Sequence, residues 1–346
     1  QRQMCIRDRL RTVADILGDS AYERNKYREG WRKVAYEGIR RMMSAVKGGF
    51  AASVGVILFT LPVQLWFFYE IPVYSVLLNL LVLPFMSAVV AGGILSLIPG
   101  LGIVGTVDCL ILWWYEWICE RFGELPGAVW CVGQPEIWQI ACYYAGIFLL
   151  VFGRRYVEAW KRRGTYGEEN VPGVIIHSNR FQHQIATVMI LGLLIGLLTG
   201  NFDRGSRVTF LDVGQGDGIV VETGQGAYLF DCGSTSRKNI GEYVLKPYLK
   251  SRGICSLRGV FVSHPDEDHM NGVLELLENG EEWGITAEQL FLPAIRESER
   301  RETFEQLLAA AEDAGIPVSY IKCGDEIRDS QLRLLCLHPE ENTTLA

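Results

Sequence analysis

Long apolar segments fill residues 48–200, and they constrain the fold of this chain more than any other feature. A helix needs about 20 mostly apolar residues to cross the hydrocarbon core of a bilayer. Five segments approach that length, the last two being the shortest: residues 48–69, 73–98, 101–118, 137–152 and 185–200. The sequence therefore predicts a multi-pass α-helical membrane region, with the lipid bilayer as partner.

The residues before the first apolar segment fall into two parts. Residues 1–9 resemble the translation of a sequencing-library adapter and are left out of the fold prediction. On that interpretation the chain is a fragment of a longer protein. Residues 10–47 are charged, with apolar residues at roughly helical spacing, which favours an amphipathic helix at the membrane interface. A plain cytoplasmic helix is the alternative.

Basic residues predict which side of the membrane each loop occupies. Three of them directly precede the first apolar segment, and six more lie in the loop 153–184. If all five segments cross the membrane, both groups fall on the same side, which is then the cytoplasm. Everything after Gly200 is consequently expected on the extracytoplasmic side.

Nine cysteines are scattered along the chain without a C-x-x-C motif, which argues against a zinc finger or a thioredoxin-like site. Cys119 and Cys131 lie in or near the loop 120–136, which the predicted orientation places outside the cytoplasm. Since such compartments allow disulfides, these two cysteines could pair there.

Polar residues inside apolar segments are candidates for function because burying them in a membrane is costly. Asn79 precedes Pro84 in the second segment, and Asp108 lies in the third. Asp108 could face a water-filled path, and a hydrogen bond between helices is the alternative.

Residues 206–346 have the pattern of a layered α/β domain, in which strands and helices alternate. This part carries 24 acidic against 13 basic residues, and the whole chain has a net charge of −7, so no general attraction to nucleic acid is expected. The predicted strands are 207–211, 218–223, 227–230, 260–262, 289–292, 318–321 and 332–337. The predicted helices are 242–251, 273–279 and 297–314.

A compact set of metal-ligand side chains follows the buried strand predicted at 260–262. His264, Asp266, Asp268 and His269 stand within six residues of one another. We expect them on a loop whose side chains converge on a divalent ion such as Zn²⁺ or Mn²⁺, which bind nitrogen and oxygen ligands. A solvated polar loop is the alternative.

This stretch resembles the metallo-β-lactamase signature H-x-H-x-D-H, with Asp266 in place of the second histidine. The stretches FLDVGQGDG at 210–218, LFDCG at 229–233 and SHPDEDH at 263–269 together resemble the soluble domain of ComEC-type competence membrane proteins, which internalise DNA. The resemblance covers roughly residues 206–346 and, more weakly, the apolar half. It implies a partial αββα metallo-β-lactamase-like domain, truncated at its C-terminus because later family motifs would lie beyond residue 346.

The resemblance also implies roles for single residues. His264, Asp266, Asp268 and His269 would be ligands of one or two metal ions, and Asp268 would also be catalytic by orienting the nucleophile. A second group would shape the surroundings of the site without binding metal: Asp212, Gln215, Asp217, Asp231 and Gly233. With half a metal site, the fragment alone is expected to be inactive.

The function implied by the resemblance is uptake of single-stranded DNA during transformation, by a protein of the inner (cytoplasmic) membrane with an extracytoplasmic metal-dependent phosphodiesterase. DNA-receptor proteins, motor proteins and a second copy of the chain would be partners. The candidate DNA path comprises Asn79, Asp108, Lys246 and Lys250, the two lysines standing in the basic group completed by Arg237, Lys238, Arg252 and Arg258. That group could steer a phosphate backbone, or it could be a solvated helix face.

Two other functions stay open from the sequence. One is a membrane-anchored hydrolase of another ester, such as a cell-wall phosphodiester, and the other is a transporter with a structural metal.

Overall fold

The computed structural model describes residues 31–153, 180–200, 205–295, 302–329 and 331–339. The predictions for residues 1–9, for 10–30 and for most of the loop 153–184 lie outside these residues. The described chain forms two units. The first contains the residues up to Thr60 together with Val73–Ala128, and the second contains Leu61–Pro72 and the chain from Val129 onward.

Three long apolar helices begin in the first unit. They are α1 (Trp31–Phe68), whose last turns belong to the second unit, α2 (Ser75–Ser96) and α3 (Gly102–Gly123). Most of their large apolar side chains are exposed, as expected for surfaces that lipid covers. Tyr115 of α3 donates a hydrogen bond of 2.9 Å to the carbonyl oxygen of Val82 in α2, which ties these two helices together.

All five predicted apolar segments are helical, but only some of the helices are long enough to span a membrane. Among the described residues, Tyr36–Phe68 and Gly102–Gly123 have the necessary length and composition. Helix α2 bends by 49° between Ser75–Val82 and Phe85–Ser96 and adds a third if the two halves form one span. Five crossings stay a prediction.

The helical part of the second unit is built around one small core. It contains the end of α1, helix α4 (Ile137–Phe148, extended by a π-helical turn Leu149–Gly153) and helix α5 (Arg180–Thr199). The buried Gln139 of α4 donates to the carbonyl oxygens of Leu197 (2.7 Å) and Gly200 (2.9 Å), so it caps the end of α5. The core residues are Leu61, Leu65, Tyr143, Leu194 and Leu198.

A two-stranded antiparallel sheet belongs to the same unit. Strand β1 (Glu70–Pro72) follows α1 and pairs with β2 (Val129–Cys131), which precedes α4. We call this pair the β1–β2 ribbon.

The α/β domain predicted from residue 206 is present, with a seven-stranded sheet. Its first three strands are antiparallel and the others are parallel, in the order β3–β4–β5–β6–β8–β9, with β7 also paired to β6. These strands are β3 (Arg207–Phe210), β4 (Gly218–Thr223), β5 (Gly226–Cys232), β6 (Ser256–Phe261), β7 (Thr286–Ala287), β8 (Leu290–Pro293) and β9 (Val318–Ile321).

Helices cover one face of this sheet and a hairpin covers the other. The helices are α6 (Lys246–Ser251, after a π-helical turn Gly241–Leu245), α7 (Glu267–Trp283) and α8 (Glu302–Asp313). The hairpin consists of β10 (Glu326–Arg328) and β11 (Arg333–Leu335), so the strand predicted at 332–337 is shorter than expected and pairs only with β10. Three aromatic side chains of the sheet pack beneath the hairpin: Tyr228, Phe261 and Phe291.

The disulfide in the structure joins Cys131 to Cys255, 124 residues apart. The pairing predicted between Cys131 and Cys119 is therefore wrong, and Cys119 is a free, exposed cysteine of α3. The physical reason is local packing. The chain just after β2 contacts the chain that leads into β6, as shown by the hydrogen bond of 2.7 Å from the Gln134 amide to the Ser251 carbonyl oxygen.

Candidate metal centre

Two neighbouring parallel strands bring the site residues together. Strands β5 and β6 pair in parallel, so both end at the same edge of the sheet. Asp231 lies at the end of β5, while Ser263 and His264 follow β6. Residues at the carboxyl ends of adjacent parallel strands converge, which is where α/β proteins commonly place their sites.

Three of the four predicted ligands form one cluster. One ligand atom each from His264, Asp268 and His269 lies within 4.8 Å of the other two. The imidazole rings of the two histidines are 3.7 Å apart between centroids, and Nε2 of His269 lies 3.6 Å from a carboxylate oxygen of Asp268. The His269 side chain is only 12% exposed against 39% for Asp268, so the cluster is anchored on one side and open on the other.

The predicted ligands Asp268 and His269 lie on a helix, not on the loop that the sequence predicted. Helix α7 begins at Glu267, six residues before the predicted start, with the extended residue Asp266 as its N-cap. Acidic residues in a first turn are favoured by the positive end of the helix dipole, which explains the early start. Asp266 stays outside the cluster of three, with a carboxylate oxygen 3.7 Å from Nε2 of His264.

Asp231 orders both histidines. Its Oδ2 lies 3.1 Å from Nδ1 of His269 and accepts the hydroxyl of Ser263 at 2.7 Å, while its Oδ1 accepts the backbone amide of Ser263, also at 2.7 Å. The same hydroxyl lies 3.0 Å from Nδ1 of His264. Since its hydrogen is given to Asp231, the hydroxyl accepts the Nδ1–H of His264. Both rings therefore keep Nε2 as the available metal ligand, as in carboxylate–histidine–metal arrangements.

The backbone of Asp231 has φ +52°, which is uncommon for a residue with a side chain. Such conformations persist where surrounding contacts hold them, and they concentrate at functional sites. Here the contacts are the hydrogen bonds to Ser263 and His269.

Gly233 lets the end of β5 contact the first turn of α7. A Cβ atom at this position would overlap the backbone of Glu267 and His269. The contact continues through Asp217, whose amide donates to the Asp268 carbonyl oxygen (3.0 Å) and whose carbonyl oxygen accepts the Gly233 amide (2.9 Å). The structure thus gives Gly233 and the backbone of Asp217 a physical role beside the ligands.

We expect Gly233→Ala to displace the turn that carries Asp268 and His269, since overpacking costs roughly 1–3 kcal/mol. Metal content after dialysis should fall together with the thermal midpoint. Gly284→Ala is the control, because it strains a left-handed residue (φ +65°) at the far end of α7 with nothing near its Cβ. It should lower the midpoint and leave the metal bound. Equal metal loss in both variants would contradict a specific role for Gly233.

The remaining residues predicted near the site lie at its margin. The Asp217 carboxylate is 64% exposed and 3.7 Å from Nδ1 of His269. Asp212 pairs with Arg237 at 3.4 Å, and the backbone amide of Gln215 donates to the hydroxyl of Ser236.

Sequence reasoning missed three residues of the surroundings. Ser263 links the two histidines through Asp231, although it stands directly before His264. Asn271, two residues after His269, accepts the backbone amide of Ser234 (3.1 Å) and donates to its carbonyl oxygen (2.7 Å). Cys232 is fully buried, and burial raises the pKa of its thiol to about 12, so it remains a neutral thiol rather than a ligand.

The predicted basic group is largely engaged within the protein. Lys250 pairs with Glu70, Arg252 with Glu222 and Arg258 with Asp329. Arg237 pairs with Asp212, while Lys246 lies over the ring of Trp283, 5.2 Å from its centroid. These contacts neutralise much of the charge that was expected to steer DNA.

Asp108 is buried against α2, where Gly92 makes room for it. A Cβ atom at Gly92 would overlap both of its carboxylate oxygens. Its Oδ2 has no hydrogen-bond partner among the described residues. A hydrogen bond between helices, the alternative function of Asp108, is therefore not supported for this oxygen atom. Asn79 is half-buried on the same helix as Gly92.

The cluster fits a divalent cation. Two imidazole nitrogens fixed by hydrogen bonds at their other ring nitrogen, together with one carboxylate oxygen, are a donor set that Zn²⁺ accepts and that also suits other divalent ions. His264, Asp268 and His269 can therefore hold such an ion.

Comparisons with known proteins find matches to both the helical part and the α/β domain of the chain. A family model described as "Competence protein" matches residues 22–156, and one described as "Metallo-beta-lactamase superfamily" matches residues 211–319. ComE operon protein 3 of Bacillus subtilis is 24% identical over 299 residues, which cover 81% of this chain and 35% of that protein. Recombination protein 2 of Haemophilus influenzae is 25% identical over 253 residues, covering 66% and 30% respectively. The chain spans about a third of the length of these relatives.

Proposed function

Because this chain joins a competence-protein region to a metallo-β-lactamase superfamily domain, we propose that it takes part in the uptake of single-stranded DNA and that the domain is a metal-dependent phosphodiesterase. The observation that carries the proposal is the cluster of His264, Asp268 and His269, ordered by Asp231 at the edge of the sheet.

The chemistry follows from the donor set and its exposure. His264, Asp268 and His269 would hold a divalent ion, which would supply a positive charge to polarise a phosphoryl oxygen and to lower the pKa of water. His269, which is largely buried, holds its side of the site rigid through Asp231. The more exposed carboxylate of Asp268 would orient an attacking water and accept its proton. Asp266, the N-cap residue of α7, is proposed as a further metal ligand. One or two ions, Zn²⁺ or Mn²⁺, would occupy the complete site.

The proposed location is the cytoplasmic membrane, with the α/β domain that carries the candidate metal centre (here called the metal-bearing domain) on its outer side. The helices of spanning length and the basic loop 153–184 support this arrangement. DNA would pass through the helical region near Asn79 and Asp108, and receptor proteins, motor proteins and a second copy of the chain are proposed as partners. Lys246 is proposed to belong to the DNA path, whereas Lys250 forms an ion pair with Glu70.

Nuclease assays with Mn²⁺ or Zn²⁺ test the proposal on a chain lengthened to include the later family motifs that the resemblance implies. We expect cleavage of DNA without sequence preference, reduced at least tenfold by Asp268→Ala because the variant loses both a ligand and the water-orienting group. Asp313→Ala, which removes an exposed carboxylate from α8, is the control and should retain activity.

The same assay separates the competing functions. Turnover of small phosphodiesters with DNA untouched would replace DNA by another ester, such as a cell-wall phosphodiester. An absence of any metal-dependent turnover would overturn the enzymatic proposal and leave a transporter with a structural metal.

A further inference from the structure

One cross-strand residue pair of the β1–β2 ribbon makes both an ion pair and a disulfide with the metal-bearing domain. Glu70 and Cys131 are directly opposite each other in this ribbon. Glu70 forms an ion pair with Lys250, and Cys131 forms the disulfide with Cys255. The two partners in the domain are five residues apart, on the segment that ends α6 and begins β6. Ribbon and segment are therefore joined side by side at two neighbouring points.

The backbones at this junction are shaped to approach closely. The Gln134 amide donates a hydrogen bond of 2.7 Å to the Ser251 carbonyl oxygen. Gly253 has φ +69°, and a Cβ atom there would lie 2.7 Å from the carbonyl oxygen of Val132. Gly133 has φ +97°, and its Cβ would lie 3.0 Å from the Gly253 amide nitrogen. These two glycines are in contact and both have left-handed backbone conformations. Any other residue at either position would strain the backbone and overlap the neighbouring segment, so the close packing depends on the two glycines.

The ion pair and the disulfide differ in how deeply they are buried. The side chains of Lys250 and Glu70 are only 12% and 22% exposed, so losing either partner would leave a largely buried charge. Cys131 and Cys255 are half-buried, which keeps the disulfide within reach of thiol reagents.

We propose that the Cys131–Cys255 disulfide is a covalent clamp that fixes the metal-bearing domain to the β1–β2 ribbon. Closing the clamp forms one S–S bond, releases two protons from the thiols and passes two electrons to a disulfide-bearing oxidant, which becomes a dithiol. The supply of this oxidant rests on the proposed extracytoplasmic location, since such compartments keep structural disulfides oxidised.

The clamp acts on the strand that leads to the metal cluster. Strand β6 begins directly after Cys255, and His264 follows its other end. Fixing the start of β6 therefore holds the first ligand at a set place relative to α4, α5 and the end of α1, which share this unit. After reduction the ion pair and the hydrogen bond would still join the ribbon to the segment, but neither of them is covalent.

A protease site inserted after Gly200, between α5 and β3, tests the clamp on the whole chain. After cleavage, the two fragments should stay linked on a gel without reductant and separate with dithiothreitol. The two fragments of the Cys131→Ser chain and those of the Cys255→Ser chain should separate under both conditions. The fragments of the Cys119→Ser chain should behave as those of the unmodified chain. Separation of the unmodified fragments without reductant, or an effect of Cys119→Ser, would overturn the proposed pairing.

A second measurement asks whether the clamp positions the domain. Hydrogen exchange at the Gln134 amide should be faster in the Cys131→Ser/Cys255→Ser chain, whereas its metal content should be unchanged. Gly253→Ala should slow reformation of the disulfide after reduction, and Gly315→Ala, at a left-handed glycine (φ +67°) with open space around it, should not. Equal exchange in both chains would leave the bond without a positioning role. Neither readout uses DNA or activity, so failure here is separate from failure of the proposed function.

Discussion

Replacing His269 by alanine is expected to lower the affinity of the domain for Zn²⁺ by more than about a hundredfold. Loss of a partner outside the ligands already costs roughly 10–100-fold, and His269 is itself a proposed ligand. Its side chain is also the least exposed of the three in the cluster. Competition titration with a chelating dye measures the affinity directly.

His338→Ala is the matched control for this change. His338 is exposed, lies after β11 and does not belong to the cluster, so its removal should leave the affinity within about twofold of the unmodified chain. Thermal unfolding without metal should show that both variants are folded. If His269→Ala binds Zn²⁺ as tightly as His338→Ala, the cluster is not the metal site and the proposed chemistry fails with it.

The sequence predicted the strands of the metal-bearing domain well, because their patterns are local. Gly218–Thr223 and Val318–Ile321 were predicted at their observed boundaries. The start of α7 was missed because the ligand stretch is polar, and a polar stretch after a strand suggests a loop. The helix there depends on contacts distant in sequence, such as the one between Gly233 and the backbone of His269.

The ligand types were predictable, whereas their arrangement was not. Four side chains of ligand type within six residues already indicated a metal site, but Asp231 acts on them from a neighbouring strand. Only its resemblance to a family motif pointed there. The disulfide shows the same limit more sharply. Cys131 has Cys119 much nearer in sequence, yet it bonds Cys255 because the β1–β2 ribbon packs against the entry to β6.

The second large effect is expected from Asp231→Asn, which keeps the size of the side chain and removes one acceptor. The carboxylate accepts hydrogen bonds from Ser263 and from Nδ1 of His269. An asparagine can satisfy the Ser263 amide with its oxygen, but it then turns an N–H donor toward His269. The imidazole is expected to respond by moving its proton to Nε2, which removes the lone pair that binds metal. We expect Zn²⁺ affinity to fall roughly 10–100-fold.

Asp329→Asn separates this effect from simple loss of a buried carboxylate. The Asp329 side chain is only 4% exposed and pairs with Arg258 and Tyr228, on the face of the sheet beneath the β10–β11 hairpin. Both variants should unfold at lower temperature, because each leaves buried partners unsatisfied. Only Asp231→Asn should weaken metal binding and change the His269 tautomer, which long-range ¹H–¹⁵N spectra of the imidazoles report. Normal affinity with an unchanged tautomer would show that the cluster orders itself without Asp231, and the strained backbone of that residue would then need another cause.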